Sequence, residues 1–202
     1  MSARKAFWNW FVEHEPKLFD LDLVREVEQQ RIFDEVARAL QKVHLDLTFE
    51  FGPKNTKREF VISAGGIKRA FPAIVSLVAA APALERWEVI AFRPRRPPMI
   101  IELGEKRVDP RSVRFTLLDN GKMAGISLFI PGFREDDLDL KQIGYLLLDE
   151  ALGEYDVETR LGLIEFLSPD ARTDGERFPL IELAPLFDRL VARIERRSGK
   201  PS

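Results

Sequence analysis

The chain has 202 residues, of which 45% are hydrophobic and 32% charged, enough apolar material for a packed core and too much for intrinsic disorder. A formal charge of −2 gives no general attraction to nucleic acid or to an anionic membrane. With no cysteine, disulfides, thiolate metal sites, iron–sulfur clusters and cysteine nucleophiles are excluded at once, which is compatible with a reducing compartment.

The N-terminus has a basic start followed by Phe7, Trp8, Trp10 and Phe11. The apolar run is short, broken by Asn9, and no small-residue cleavage site follows, so it reads as a helix and not as a signal peptide. No segment approaches the roughly 20 apolar residues of a membrane span. The spacing predicts a helix over 4–14, with positions 7, 8 and 11 on one face and Trp10 off it. A longer helix follows, capped by Asp20 or Asp22, with Val24, Val27, Phe33, Val36, Ala37, Leu40 and Val43 as its stripe. Leu45, Leu47, Phe49 and Phe51 then alternate with polar residues as a half-buried strand. Gly52-Pro53-Lys54-Asn55 has turn chemistry, and 59–63 returns as the hairpin partner. Ala64-Gly65-Gly66 breaks the chain. A helix over 68–81 places Pro72 in its first turn and stops at Pro82, and 87–92 is a strand.

Three prolines make Arg93-Pro94-Arg95-Arg96-Pro97-Pro98 stiff and extended. Residues 99–103 form a short strand. Val113, Phe115 and Leu117 alternate, Asn120-Gly121 is a hairpin turn that takes positive φ, and 123–130 returns. A helix over 138–152 is capped by Asp136 or Asp137 and closed by Gly153. Residues 161–167 form a strand. A last helix from Pro185 carries Phe187, Leu190, Val191 and Ile194 on one face, and 196–202 read as a frayed tail.

The order strand, strand, helix, strand occurs twice, over about 46–92 and about 113–167. The fold class expected is therefore α+β, with a largely antiparallel sheet built from two ββαβ units, an internal duplication, covered by helices. Each half is expected to cover the other's sheet, so 1–202 counts as one domain.

Catalytic templates are missing. His14 and His44 have no second histidine at helical spacing and read as boundary residues. No nucleophile elbow or phosphate-binding glycine loop appears, and Ser63-Ala64-Gly65-Gly66-Ile67-Lys68 reads as a strand-to-helix turn. No cofactor is called for. Two charged groups stand out. Asp149, Glu150, Glu154, Asp156 and Glu158 surround Gly153, where negative charge opposes the helix dipole at about 0.3–1 kcal/mol each. The compensation is a structural arginine or, in the sharper reading, a metal or cationic ligand. Arg93, Arg95 and Arg96, close behind Arg86 and Trp87, are the natural counterpart, held rigid by prolines. A salt-bridged edge is preferred there over a nucleic-acid site. Trp8 and Trp10 are either core residues or interface anchors.

The stretch Phe60-Val61-Ile62-Ser63-Ala64-Gly65-Gly66, then Phe71-Pro72, Ala81-Pro82, Leu84, Arg86-Trp87 and Ala91-Phe92-Arg93-Pro94-Arg95, resembles a family of uncharacterised bacterial cytosolic proteins (a domain of unknown function). The aromatic N-terminal helix and Leu152-Gly153-Glu154-Tyr155 belong to the same resemblance, which covers most of the chain. It implies a cytoplasmic protein and assigns no activity and no functional residue. The reading favoured by the residues is a non-catalytic protein-binding or regulatory module, working through the N-terminal aromatic helix or an uncovered sheet edge. The alternative is a carboxylate-based hydrolase, with Arg93, Arg95 or Arg96 facing Glu150 and Glu154 across a cleft.

Overall fold

The computed structural model describes residues 2–199. The chain falls into two compact units, Met1–Arg93 and Pro94–Ser202, each with its own buried core. The class is α+β, and the ββαβ order occurs once in each unit. The strands form three sheets where one was expected, and the helices that close each core come from its own unit.

The first unit contains helices α1 (Ala3–Phe19) and α2 (Glu26–Gln41), strands β1 (Thr48–Lys54) and β2 (Arg58–Ser63), helix α3 (Phe71–Val78) and strand β3 (Trp87–Ala91). β1 and β2 pair antiparallel, and β3 returns parallel to β2. The core is aromatic. Phe11 and Phe60, both fully buried, stack at 4.9 Å, and Trp87 meets Phe11 edge-on at 5.2 Å. Trp8 donates its indole N–H to the Leu77 carbonyl at 2.8 Å, which ties α1 to the end of α3.

Several sequence boundaries are corrected here. α1 runs through Pro16 to Phe19. Asp20 and Asp22 do not cap α2. Asp20 pairs with Lys54, and Asp22 accepts from Arg58 at 3.0 Å. α2 starts instead at Glu26, and Glu26 and Glu28 in its first turn suit the helix dipole. Val24 and Val27 therefore lie outside the stripe and are exposed, and Ile32 takes the buried place. Gly52, Pro53 and Lys54 belong to β1, with the register shifted between Phe51 and Lys54, so the turn moves to 55–57.

The second unit holds the hairpin β4 (Ile101–Leu103) and β5 (Lys106–Val108), the hairpin β6 (Arg114–Asp119) and β7 (Ala124–Phe129), helices α4 (Leu138–Leu152) and α5 (Glu154–Arg160), strands β8 (Leu161–Leu167) and β9 (Phe178–Pro179), and helix α6 (Leu183–Arg197). The four-stranded sheet has the order β8-β7-β6-β9. β6 pairs antiparallel with β7 and β9, and β8 pairs parallel with β7. Gly121 takes φ 83° in the expected hairpin turn. Asp137 caps α4 by accepting from the Leu140 N–H at 2.9 Å, and Gly153 ends it at φ 80°. Phe187, Leu190, Val191 and Ile194 of α6 are all buried. Arg196 and Arg197 close α6, so the tail expected from 196 starts later, and residues 200–202 lie outside those described. No helix among the described residues is long and apolar enough to cross a membrane.

α4 packs against β8 at Gly144, where a Cβ would stand well inside van der Waals distance of the Phe166 ring. In an exposed helix Gly→Ala gains about 1 kcal/mol, but forcing a methyl against a packed ring costs about 1–3 kcal/mol. Gly144→Ala is expected to destabilise the protein by about 1 kcal/mol in urea unfolding. Unchanged or raised stability would contradict the close approach.

Candidate functional site

Segment 94–99 includes Pro94, Pro97 and Pro98, so its backbone donors sit only on residues 95, 96 and 99. Two of these close on one residue near the end of α4. The Arg96 N–H donates to the Glu150 carbonyl at 2.6 Å, and the Met99 N–H donates to the Glu150 carboxylate at 2.9 Å. Arg95 reaches the same helix end with its side chain. Its Nε donates to the Leu152 carbonyl at 2.8 Å, and its terminal nitrogens donate to Asp156 at 2.6 Å and to both oxygens of Asp188 at 2.8 and 2.9 Å.

The last carbonyls of a helix lack partners inside it, and a cation placed there also opposes the helix dipole. Arg95 supplies both. It is the structural arginine that the acid group around Gly153 requires. Its hydrogen bond holds the Asp188 carboxyl below the usual carboxylate range, against the opposing effect of burial, and the guanidinium is raised in turn. Arg160 adds a second cation, 3.3 Å from Asp156 and 3.6 Å from Glu195. Glu154 is fully buried. The expected hydrolase places the arginine stretch across a cleft from Glu150 and Glu154, whereas Arg95 is bonded to Leu152, Asp156 and Asp188. No group of three or more acidic or histidine side chains among the described residues is arranged to hold a metal ion.

The other expected residues lie within the first unit. Arg93 pairs with Glu50. Trp87 is 2% exposed and donates its indole N–H to Glu15 at 2.8 Å, and Arg86 grips the same carboxylate. Trp8 is a core residue. Trp10 is half-buried and stacks on His14 with ring centres 4.7 Å apart, while the His14 Nδ1 lies 2.8 Å from the Trp10 carbonyl. The aromatic helix spends most of its apolar face on its own core.

A sheet edge is a different matter. Exposed edges invite pairing with other chains and are normally blunted by proline, lysine, bulges or short length. β1 ends in Gly52-Pro53-Lys54 with a shifted register, β3 carries Glu88 and passes into Phe92 at φ 66° and then Arg93-Pro94, and β9 has two residues. β8 reads Leu-Gly-Leu-Ile-Glu-Phe-Leu and has no proline, lysine or arginine. Its one charge, Glu165, accepts from the Ser127 hydroxyl of the neighbouring strand at 2.8 Å. Apolar residues lie on both faces, Leu163 and Leu167 on one, Ile164 and Phe166 on the other. That is the pattern of a strand inside a parallel sheet, yet β8 ends the sheet. The register shift at Gly162 leaves 163–167 in step with β7. The Ile130 N–H donates to the Leu167 carbonyl at 2.9 Å, so by alternation Leu163, Glu165 and Leu167 face β7, and the peptide groups of Ile164 and Phe166 face the open edge.

Beside this edge, β8 and α4 enclose a groove of about 630 Å³. Phe166 forms its floor, edge-on to Tyr145 at 5.0 Å and 6.2 Å from Phe133, and Tyr145 is 47% exposed. The rim holds Arg134 and Lys141 with Glu135, charges of both signs. No family model, curated protein or solved structure matches the chain. The functional reading therefore rests on geometry. Sequence reasoning placed β8 correctly and named an uncovered edge in general terms. The missing gatekeepers of 161–167 were readable. The strand order that makes it an edge was not.

Removing the Arg95 side chain takes this donor from the Leu152 carbonyl and Asp188 and leaves Asp156 with Arg160 alone. Arg95→Ala is expected to cost about 1–3 kcal/mol in urea unfolding at neutral pH. The folded pKa of Asp188 is depressed, so its share of the stability is present above the ordinary value of 3.8 and is lost as pH falls through the lower folded value. The gap between wild type and Arg95→Ala should therefore narrow below about pH 4. A gap that stays constant down to acid unfolding would show that the ion pair with Asp188 contributes nothing.

Proposed function

We propose that the protein is a non-catalytic binding module that takes an extended polypeptide segment as an added strand along β8. The observation that carries this reading is an apolar, ungated edge strand with an aromatic groove beside it. In strand addition the main-chain hydrogen bonds give affinity and a pocket for alternate side chains gives specificity. Here the outward peptide groups of Ile164 and Phe166 would supply the bonds, and the groove over Phe166 would take an apolar side chain. Tyr145 is the aromatic residue placed to cover that side chain. The rim, with charges of both signs, favours a segment without strong net charge. The engagement of Arg86, Arg93 and Arg95 by carboxylates weighs against a phosphate-bearing ligand at the arginine stretch.

A labelled, lysine-flanked peptide with an alternating valine–threonine core tests the reading by fluorescence anisotropy. Saturable binding is expected. Tyr145→Ala should weaken it about fivefold to tenfold, and Ile164→Pro, which removes an outward donor while leaving the bonds to β7, should weaken it at least about tenfold. Equal binding by all three proteins, or no saturable binding, would contradict strand addition at β8.

A further inference from the structure

We infer that the segment received by β8 is the β8 strand of a second copy of this chain, paired antiparallel about a two-fold axis at Ile164. This rests on the strand-addition reading and names its occupant. Three observations support it.

The first is the register. A two-fold pairing sets residue i opposite j with a constant sum, and only positions whose peptide groups both face outward can exchange hydrogen bonds. Ile164 is such a position. Centring the axis there sets Ile164 opposite its own copy, Gly162 opposite Phe166, Leu163 opposite Glu165 and Leu161 opposite Leu167, so the whole of Leu161–Leu167 is used. The bulky ring of Phe166 falls opposite the one residue without a side chain. Cross-strand pairs of β-branched residues are favourable, and like charges directly opposite are not. An axis at Glu165 would set two carboxylates face to face in a closely spaced pair. The axis at Ile164 keeps them apart.

The second is charge. The groove rim carries Arg134 and Lys141 beside Glu135. A strongly charged partner gains nothing from such a mixed rim, and a copy of this chain, with a formal charge of −2 over 202 residues, brings no strong charge to it. The third is composition. β8 is apolar on both faces, as a strand flanked on both sides would be. Pairing two copies makes one continuous sheet in which β8 is interior, and the isologous contact closes with only the two-residue β9 left at each end.

The absence of cysteine makes the test direct. Sedimentation across a micromolar concentration series should give twice the chain mass for the wild type. Ile164→Cys should form a self-linked dimer under mild oxidation, because hydrogen-bonded antiparallel pairs place Cα atoms about 5.5 Å apart, within disulfide reach. Leu118→Cys, exposed on β6 two strands from the edge, should not link. Charge at position 163 tests the register. Leu163→Glu sets carboxylates against Glu165 of the other copy and should raise the dimer dissociation constant at least about tenfold. Leu163→Lys sets an ammonium there and should leave it unchanged or lower it. Circular dichroism confirms that each variant is folded. A monomeric wild type overturns the inference, as does a dimer indifferent to both substitutions, or one that both weaken alike. If the wild type is monomeric yet binds the valine–threonine peptide, the second copy is wrong and strand addition stands. If it binds neither, both are wrong.

Discussion

The return of β8 parallel to β7 is the constraint on which the second unit depends. A parallel strand cannot be reached by a tight turn, since the chain must travel back along the sheet first. α4 and α5 make that journey, and Gly153 at positive φ turns one helix into the next. The strand that emerges lies beside β7 on the side away from β6, so it is an edge by topology. The helix that delivers it forms the other wall of the groove. The same crossover operates in the first unit, where β3 returns parallel to β2. There the strand ends in Phe92, Arg93 and Pro94, which stop further pairing.

Arginine closes a helix in each unit. Arg58, 4% exposed, donates to the Phe19 carbonyl at the end of α1, to the Gly52 carbonyl and to Asp22. Arg95 does the same for α4 through Leu152, Asp156 and Asp188. Each guanidinium spreads its donors over three partners with fixed geometry, which an ammonium on a flexible stem does not reproduce. Burying a charge is costly unless it is paired, and Arg58, the buried one of the two, meets that cost with Asp22 and two carbonyls. The arginines closest to a ligand-binding appearance in the sequence are thus used in holding the fold.

Local chemistry was legible where a short stretch decides the outcome. Asn120-Gly121, the Asp137 cap, the Gly153 stop and the α6 stripe each depend on neighbours within one or two turns. Gly52-Pro53 misled for the same reason, since turn-forming residues also occur at a bulge near a strand end. A helix start at Asp20 or Asp22 puts Val24 and Val27 on the α2 stripe, but those carboxylates answer to Lys54 and Arg58, more than thirty positions away, and Val27 lies on the exposed side of α2. The partners of Arg95 lie still farther along the chain. For the candidate site, composition named the strand 161–167 but not its place in the sheet. The groove needs Phe133, Tyr145 and Phe166 together, and only the crossover brings them there.

Amide hydrogen exchange along β8 tests the central claim most directly. In dilute solution, Leu163, Glu165 and Leu167, which face β7, should be protected, while Ile164 and Phe166 exchange fast. At high protein concentration, protection should appear at Ile164 and Phe166, and at Gly162 opposite Phe166, with no change at Leu163, Glu165 and Leu167. Protection of all five at every concentration would mean that the edge is already covered within the chain. Persistent fast exchange of Ile164 and Phe166 at every concentration and with added peptide would mean that the edge pairs with nothing.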